Sequence, residues 1–300
     1  MQESSGSSRN QNRKWIAIGG LVIVAIVVAL LAVFLGRKPA AQPAPAPAVV
    51  IPDPRETSIG KSVEGRSIES YAYGKGGKKI VFVGGVHGGY EWNSVLLAYQ
   101  FMDYLKANPD AIPPSLTVTV IPDLNPDAVF KATGKEGRFA LSDVSTDPKL
   151  LASARFNADN VDLNRNFACD WQATSTWQTK IVSAGTAAFS EPEAAAFKKF
   201  VAAYQPDAAV FWHSAAGAVY ASQCGKGILP GTLDIMNTYA KAAGYPAVKV
   251  FGAYATTGAA DDWLASQGIP AITVELSSHS SVEWDKNILG IKALLESYAQ

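Results

Sequence analysis

The sequence predicts an α/β fold in which a mixed, mostly parallel central sheet is flanked by helices and preceded by one transmembrane helix. Short apolar runs with the length of buried strands recur along the chain, as at Ala208–Trp212 and Ala271–Leu276. Segments with helix start and stop signals lie between them, and strands that alternate with helices indicate an α/β sandwich. An unbroken apolar run, Ile16–Leu35, precedes the globular part.

Local signals predict the first elements of the globular part. Ile68–Tyr73 and Lys79–Val83 have the character of strands, and the glycine-rich Gly74–Gly77 between them predicts a β-hairpin. Glu91–Asn108 is a predicted helix that ends where an Asn-Pro pair acts as a stop signal. Leu116–Ile121 is a short apolar run and predicts a buried strand.

The middle of the chain has weaker patterns. Pro122–Asp162 is rich in Pro, Gly, Asp and Ser and has little periodicity, so it is predicted to be largely loop. Long loops in compact domains are usually functional. A helix is predicted to begin at Ser190, which can act as N-cap, because Glu193 stands where a capping-box acid belongs. This helix is expected to run to about Tyr204.

The remaining predicted elements again alternate in type. They are a strand at Ala208–Trp212 that ends at His213, a helix at Leu233–Ala243 closed by Gly244, a strand at Val248–Phe251, a helix at Gly258–Ser266, a strand at Ala271–Leu276 that carries Glu275, and a helix at Trp284–Tyr298.

The apolar run Ile16–Leu35 predicts a membrane anchor. At about 1.5 Å per residue it spans the roughly 30 Å hydrocarbon core, and it is longer than the apolar region of a cleavable secretory signal. We therefore expect a short cytoplasmic tail at residues 1–15 and an uncleaved signal-anchor at residues 16–35. The domain at residues 55–300 would then lie outside the cytoplasm, at the cell surface or in the periplasm.

The segment between anchor and domain, residues 36–54, is rich in Pro and Ala. Such composition favours extended polyproline conformations and predicts a semi-rigid spacer. A disordered tether without preferred structure is the alternative.

Charge and cysteine content limit the possible partners. Basic and acidic side chains balance, 26 against 26, and no block of like charge suggests nucleic-acid binding. Cys169 and Cys224 both lie in the part predicted to be outside the cytoplasm. In an oxidising compartment they can form one disulfide, and two free buried thiols are the alternative.

Chemistry-bearing residues stand at the ends of three predicted strands. His87 follows the first of them, His213 follows AVFW, and Glu275 lies within AITVEL. If these strands are parallel, their carboxyl ends meet at one edge of the sheet. Two histidines and a carboxylate that leave one position open form a typical catalytic zinc set, and a further carboxylate can act as general base. One histidine alone would more often be structural.

A second informative stretch is NADNVDLNRNF, which follows Arg155 and contains Asn164 and Arg165. Guanidinium groups bind carboxylates bidentately and can stabilise a developing oxyanion. Surface ion pairs are the alternative for these residues, although a stretch without apolar periodicity that is so dense in Asn and Arg argues against it.

Taken together, the motifs HGGYEW, VDLNRNF, WHS, YATTGAADDW and TVEL, in this order, resemble those of the zinc metallocarboxypeptidases similar to carboxypeptidase A. The resemblance covers roughly residues 55–295 and implies that family's α/β/α sandwich. It implies that one zinc ion is bound by His87, Glu91 and His213. It also implies that Glu275 is the general base.

The same resemblance implies how substrate is held. Asn164 and Arg165 would grip the terminal carboxylate, Arg155 would polarise the scissile carbonyl, and Tyr254 would close over the substrate and hydrogen-bond to it. Asp261 occupies the position at the base of the family's side-chain pocket. An acid there favours a basic or amine-bearing terminal residue such as lysine, arginine or diaminopimelate. Alternatively, Asp261 is only an acid in the first turn of its helix.

Two features depart from the family pattern. Three residues rather than the usual two separate His87 from Glu91, so the loop must bulge, and Gly88 and Gly89 give it the freedom to do so. Tyr90 replaces the Arg that frequently precedes this Glu.

The resulting hypothesis is a membrane-anchored zinc carboxypeptidase that removes the C-terminal residue of extracytoplasmic peptides. Bacterial cell-wall stem peptides are the first candidates for the substrate, and general peptide scavenging is the second. A zinc-dependent amidohydrolase of acyl-amino acids and a catalytically inactive binding module on the same fold are the alternatives.

Overall fold

The computed structural model describes residues 54–299. The predicted tail and anchor, and all of the predicted linker except Pro54, lie outside these residues. Within residues 54–299 none of the helices combines the length and the apolar character that a membrane crossing requires.

Residues 54–299 form an eight-stranded sheet, with strands in the order β1-β2-β4-β3-β7-β10-β8-β9, and a separate two-stranded ribbon of β5 and β6. The strands are β1 (Arg55–Lys61), β2 (Ser67–Gly74), β3 (Lys78–Val83), β4 (Leu116–Ile121), β5 (Thr174–Trp177), β6 (Lys180–Ser183), β7 (Ala208–Ser214), β8 (Ala218–Ala221), β9 (Ala247–Val248) and β10 (Ala271–Leu276).

Helices connect most of these strands. Those of the described part are α1 (Trp92–Ala107), α2 (Pro126–Thr133), α3 (Pro148–Ser153), α4 (Pro192–Tyr204), α5 (Pro230–Ala243), α6 (Ala260–Ser266) and α7 (Trp284–Ala299), with short 3-10 turns at Gly88–Glu91, Pro109–Ala111, Leu141–Asp143 and Leu163–Arg165.

The centre of the sheet is parallel and its flanks are mixed. β4, β3, β7 and β10 pair in parallel, whereas β1, β2 and β8 pair antiparallel with their neighbours toward the centre. Apolar side chains cover both faces. Phe82 and Trp212 pack on one face with α1, and Phe211 packs on the other with α4. The predicted mixed α/β sheet flanked by helices is confirmed, because helices bury both sides of the central strands.

The predicted hairpin of β2 and β3 is wrong. β2 pairs with β1 on one side and with β4 on the other, so that β4 separates β2 from β3. The chain leaves β3, crosses over through α1 and returns as β4, parallel to β3. A parallel crossover buries the apolar β3 on both faces, which a hairpin at the edge of the sheet could not do.

The predicted long loop at Pro122–Asp162 contains two helices, α2 and α3. Both begin with Pro, after the N-caps Asn125 and Asp147, whose side chains accept hydrogen bonds from backbone N–H groups. Pro, Asn and Asp are helix-start residues as well as loop residues, and helices of this length have too little periodicity to separate the two meanings.

Two other predictions need correction, and four strands were not predicted. Helix α4 begins after Glu191 without a side-chain cap, and Glu193 accepts from the backbone N–H of Val63 instead of closing a capping box. The strand predicted at Val248–Phe251 is the two-residue β9. The edge strand β1, the ribbon strands β5 and β6 and the buried four-residue strand β8 were not predicted. β1, β5 and β6 are partly exposed, and all but β1 have only four residues, which is too short for a clear apolar pattern.

Cys169 and Cys224 form a disulfide, which decides between the two alternatives that the sequence left open. The bond joins the segment after Arg165 to the segment after β8.

Candidate metal and substrate site

The parallel strands bring the predicted chemistry to one edge of the sheet. Glu275 on β10 is the register partner of His213 on β7, and His87 follows the end of β3, which is the next strand. In a parallel ladder the carboxyl ends of neighbouring strands coincide. The order of the strands therefore places these three side chains side by side.

Glu91 joins the two histidines from the start of α1. Its Oε2 lies 2.9 Å from His213 Nδ1 and accepts from the Ser214 backbone N–H at 3.2 Å. The candidate ligand atoms of His87, Glu91 and His213 lie within 4.8 Å of one another, and all three residues are buried. The arrangement is a compact set of two imidazoles and one carboxylate.

The extra residue between His87 and Glu91 is taken up by the 3-10 turn at Gly88–Glu91. Gly88 has a φ of 45°, and a Cβ there would lie 2.3 Å from the Ala128 Cβ. Glycine is required on both counts, since a side chain would be strained at this φ and would collide with α2. The tight turn brings Glu91 toward His213 despite the longer spacing.

The residues fit a zinc ion. His87 Nδ1 is buried and has no hydrogen-bond partner among residues 54–299; the nearest acidic atom, Asp162 Oδ1, is 3.4 Å away without hydrogen-bond geometry. A buried imidazole nitrogen without a partner costs free energy of folding unless another group, such as a metal ion, binds to it. Two histidines and one glutamate with an open position are a zinc donor set.

The electrostatics also suit a cation. Burial lowers the pKa of His87 well below its usual range, and the charge of Arg155 adds to this, so the imidazole is neutral. Burial alone would lower the pKa of His213, but the charge and the hydrogen bond of Glu91 outweigh it and raise that pKa. Glu91 thus stabilises positive charge beside His213.

One carboxylate oxygen of Glu275 is not engaged by the described residues. This atom, Oε2, is shielded from solvent and lacks a hydrogen-bond partner within the described residues. Burial, and after it the negative charge of Glu91, raises the pKa of Glu275 to about 7. A carboxyl group with a pKa near the working pH is suited to proton transfer.

Arg155 lies beside the metal triad and is held by Asp162. Its Nε donates to Asp162 Oδ2 at 2.9 Å, and its Nη1 is 3.5 Å from Glu91 Oε1. The guanidinium carbon stands 4.6 Å from the centre of the Trp177 ring. These contacts fix a positive charge next to the candidate ligands.

Arg165 is a buried cation without an acid. It is 2% exposed, and among residues 54–299 no carboxylate lies within 4.0 Å of its guanidinium. Its donors reach only the backbone carbonyls of Thr176, at 3.0 Å from Nη2, and Asn164, at 2.7 Å from Nη1. A buried charge that meets only carbonyl dipoles is a ready binding site for an anion.

The segment with Asn164 and Arg165 is fastened to the loop before α6. Asn164 Oδ1 accepts from the Ala260 N–H at 2.9 Å, and the Phe167 N–H donates to the Gly258 carbonyl at 3.0 Å. Gly258 has a φ of 69°, and a Cβ there would lie 2.1 Å from the Arg165 carbonyl oxygen. Only glycine allows the two loops to approach this closely.

Asp261 and Tyr254 complete the predicted set. Asp261 is buried at the start of α6 and accepts from the Thr273 hydroxyl at 2.9 Å. Tyr254 is half-buried, packs on Phe251 with 4.9 Å between ring centres, and has a pKa raised by burial.

All the predicted site residues line one cavity of about 320 Å³. They are His87, Glu91, Arg155, Asn164, Arg165, His213, Tyr254, Asp261 and Glu275.

Four residues around this cavity were not predicted. Asp162 holds Arg155 and stands by His87, and it lies within VDLNRNF, so the motif itself carried the signal. Trp177 packs against Arg155. It stands in a short ribbon strand without a recognisable motif, so no sequence pattern indicated this contact. Asn93 and His279 bond to Ser214, and His279 follows TVEL as the third histidine of the chain.

The chain matches a family model over most of its length. A model of the zinc carboxypeptidase family matches residues 52–289, so the chain belongs to this family. Zinc is the cofactor of the family, and His87, Glu91 and His213 are the candidate site for it in this chain. None of the curated proteins compared with the chain matches it.

Solved structures show the same fold at low sequence identity. A murein-tripeptide amidase from Escherichia coli O157 is 21% identical with a TM-score of 0.57 and matches 86% of this chain and 98% of its own. Carboxypeptidase A from Helicoverpa armigera is 21% identical with a TM-score of 0.62, over 83% of this chain and 70% of its own. An aspartoacylase family protein from Mesorhizobium loti is 18% identical with a TM-score of 0.51, over 84% and 71%.

Proposed function

We propose that the protein is a membrane-anchored, extracytoplasmic carboxypeptidase that uses zinc to remove the C-terminal residue of peptides. Membership of the zinc carboxypeptidase family supports the reaction class. The apolar run Ile16–Leu35 and the Pro/Ala-rich residues 36–54 support the anchor, the spacer and the location of the domain.

The observation that carries the proposal is the buried Arg165, which no carboxylate of residues 54–299 approaches within 4.0 Å, in the same cavity as His87, Glu91 and His213. An enzyme that removes terminal residues must recognise a free carboxylate at a fixed distance from the scissile bond. Arg165 offers a guanidinium that no acid of the described chain neutralises, and Asn164 lies beside it. These two residues are assigned to the substrate's terminal carboxylate.

The remaining side chains fit the steps of amide hydrolysis. Zinc, when bound, supplies Lewis acidity that lowers the pKa of water and polarises a carbonyl. Glu275 accepts a proton from the attacking water, whose oxygen bonds to the carbonyl carbon. The same proton passes to the leaving amine nitrogen as the C–N bond breaks. Arg155 stabilises the oxyanion that develops on the carbonyl oxygen, and Tyr254 positions the substrate.

Asp261 is assigned to selection of the terminal side chain. Its carboxylate is buried, the Thr273 hydroxyl donates to it, and within residues 54–299 no Lys, Arg or His nitrogen lies within 4.0 Å of it. A buried carboxylate without a cation favours a ligand that brings one. Terminal lysine, arginine or diaminopimelate would fill this role.

Cell-wall stem peptides are the substrate class that we favour. The predicted anchor places the domain near a wall, such peptides can end in an amine-bearing residue, and the structurally similar Escherichia coli protein is a murein-tripeptide amidase. General peptide scavenging is the second possibility within the same chemistry.

The enzymatic alternative is amidohydrolysis of an acyl-amino acid. The fold of the Mesorhizobium loti aspartoacylase family protein is the observation in its favour. The Asn164–Arg165 pair would serve either reaction, whereas Tyr254, Asp261 and Glu275 stand in the family's carboxypeptidase motifs. A non-catalytic binding module is disfavoured because each chemical position is filled.

The proposal is tested with the zinc-loaded full chain and a panel of peptides, wall fragments and acyl-amino acids that differ in the terminal residue. Mass spectrometry should show loss of one C-terminal residue, fastest where that residue carries an amine. Glu275→Gln should lower kcat by about 10²–10⁴-fold while zinc content stays the same, because a general base contributes about this factor.

Three results would contradict parts of the proposal. Full activity of Glu275→Gln would refute the mechanism. Cleavage of acyl-amino acids alone would favour the deacylase. An unchanged preference for the terminal residue in Asp261→Ala would refute the role of Asp261.

A further inference from the structure

His279 has no part in the metal triad or in the proposed reaction, yet it lines the same cavity. It lies in the segment after β10 and is partly buried. Its ring centre is 4.6 Å from that of Tyr90, and its Nδ1 is 2.8 Å from the Ser214 hydroxyl. The imidazole is therefore held from two sides, by the turn before α1 and by the end of β7.

The side chain of Asn93 determines which atoms donate and which accept hydrogen bonds in this network. Its side-chain nitrogen donates to the carbonyls of Ser278 and Ser281, at 2.7 and 2.9 Å, and these two acceptors fix the orientation of the amide. Asn93 Oδ1 therefore accepts the hydroxyl proton of Ser214, 3.0 Å away. Because Ser214 has only this one proton to give, its oxygen must accept a hydrogen bond from Nδ1–H of His279.

The other ring nitrogen is then a free acceptor. A neutral imidazole protonated at Nδ1 carries a lone pair on Nε2, and burial lowers the pKa of His279, which keeps the ring neutral near pH 7. Within residues 54–299, Nε2 has no hydrogen-bond partner, and it is not among the atoms closed off from solvent. A histidine whose role was only to hold its own loop in place would need only the hydrogen bond that Nδ1 makes.

The neighbours of His279 indicate which part of a substrate it meets. Tyr90 lies between His279 and Trp177, with 5.1 Å between the Tyr90 and Trp177 ring centres, so the three rings form a continuous wall. Arg165 and Asp261 are the groups assigned to the terminal residue. With that residue held there, the rest of the substrate has to leave along the remaining lining of the cavity, which includes this aromatic wall.

We propose that His279 Nε2 accepts a hydrogen bond from the backbone N–H of the substrate residue that supplies the scissile carbonyl. This inference rests on the proposed function and narrows its substrate class. The preferred substrate then carries an N–H on the carbon that is bonded to the scissile carbonyl, as an α-linked peptide does and a plain acyl group does not. Tyr90 and Trp177 offer ring faces to the same part of the chain.

The test uses two substrates that differ in one atom. Acetyl-alanyl-lysine carries the N–H, and acetyl-lactyl-lysine has an ester oxygen in its place; the scissile amide to lysine is the same in both. The zinc-loaded full chain should hydrolyse the N–H substrate with a kcat/KM about 10-fold higher, because the ester oxygen cannot donate to Nε2 and the hydrogen bond is lost.

His279→Phe should abolish this discrimination, because phenylalanine can still pack on Tyr90 but offers no acceptor. Most of the change should be a fall in kcat/KM for the N–H substrate, with the ester analogue little affected. Ser280→Ala, one residue away in an exposed position of the same segment, is the matched control and should discriminate as the wild type does.

Two outcomes would overturn the inference while leaving the proposed function intact: equal kcat/KM for both substrates in the wild type, or the same discrimination in wild type and His279→Phe. If the wild type hydrolyses neither substrate, the proposed function fails. Calorimetric binding of the same two compounds then still tests His279.

Nitrogen NMR of the three histidines offers a readout that does not depend on activity or on a variant. The His279 signals should show a protonated Nδ1 and a bare Nε2, and the Nε2 signal should shift when the N–H compound binds. A protonated Nε2 in the free protein, or an unmoved signal, would contradict the inference.

Discussion

The two halves of the cavity are built in different ways. The half with the candidate zinc ligands, here called the metal half, stands on the sheet, where the parallel ladder sets Glu275 directly beside His213 and His87 follows the end of β3. The half assigned to the terminal residue, here called the loop half, stands on the 3-10 turn with Arg165 and the first turn of α6 with Asp261, and contacts distant in sequence hold these segments together.

The two halves position their side chains by different kinds of contact. In the sheet, a hydrogen-bond ladder fixes register, and a slip by one residue would turn every side chain to the other face. In the loops no ladder exists, so a glycine at Gly258 and the disulfide of Cys169 and Cys224 hold the segments together. The metal half should therefore depend on single ligands, and the loop half on its crosslinks.

The largest expected effect is in the metal half. His213→Ala should lose zinc and lower kcat/KM by at least about 10³-fold, because several kcal/mol of transition-state stabilisation by the metal are removed. Elemental analysis and peptide hydrolysis check this. Glu275→Gln, at the paired position on β10, is the control that keeps its zinc. A His213→Ala protein that retains one zinc per chain would break the ligand assignment.

An intermediate effect is expected in the loop half. Replacing both Cys169 and Cys224 with Ser should lower the free energy of unfolding by up to about 4 kcal/mol, as expected for a crosslink that closes a loop of this length, with a separation of 55 residues. The KM for peptides should rise while zinc content stays constant, because Arg165 loses support and His213 does not. Denaturant unfolding and steady-state kinetics measure the two effects.

The comparison would fail if the Cys-to-Ser protein lost its zinc and kept its KM. In that case the loops would support the metal half, and the two halves would not be separable.

The prediction with the smallest expected effect on peptide hydrolysis concerns the pH dependence of stability and lies on the sheet side. Asp123, just after β4, is buried, and burial raises its pKa to about 8. Below about pH 4 the carboxyl is protonated in both the folded and the unfolded chain. Between about pH 4 and 8 only the folded state keeps the proton, so this group makes the protein less stable as pH rises.

Asp123→Asn should reduce this loss of stability, because the amide resembles the protonated acid and can still accept from the Asn125 N–H. Melting temperatures of the chelator-treated protein between pH 5 and 8 measure the slope, and the exposed Asp110→Asn is the control. An unchanged slope in Asp123→Asn would show that Asp123 does not carry the effect.

The sequence predicted those parts of the fold whose signals are local. The strands at Leu116–Ile121 and Ala271–Leu276 have the predicted bounds, since an uninterrupted apolar run of that length has few other solutions. Short helices such as α2 and α3 were missed, because their capping residues also mark loops. The pairing of β2 with β4 could not be predicted, since strand partners depend on distant segments.

The same distinction applies to the site, where some features follow from local sequence patterns and others from contacts between distant segments. The sequence alone determined that His87, His213 and Glu275 stand at or near strand ends, because each follows or lies within a short apolar run. The alternation of strands with helices favours parallel strands, whose carboxyl ends lie at one edge. Only the tertiary structure decided that Arg165 is buried with no carboxylate of residues 54–299 within 4.0 Å, and that His279 lines the cavity with an Nε2 that has no hydrogen-bond partner among these residues. Both depend on which backbone groups and side chains approach from elsewhere in the chain, and no local pattern encodes such contacts.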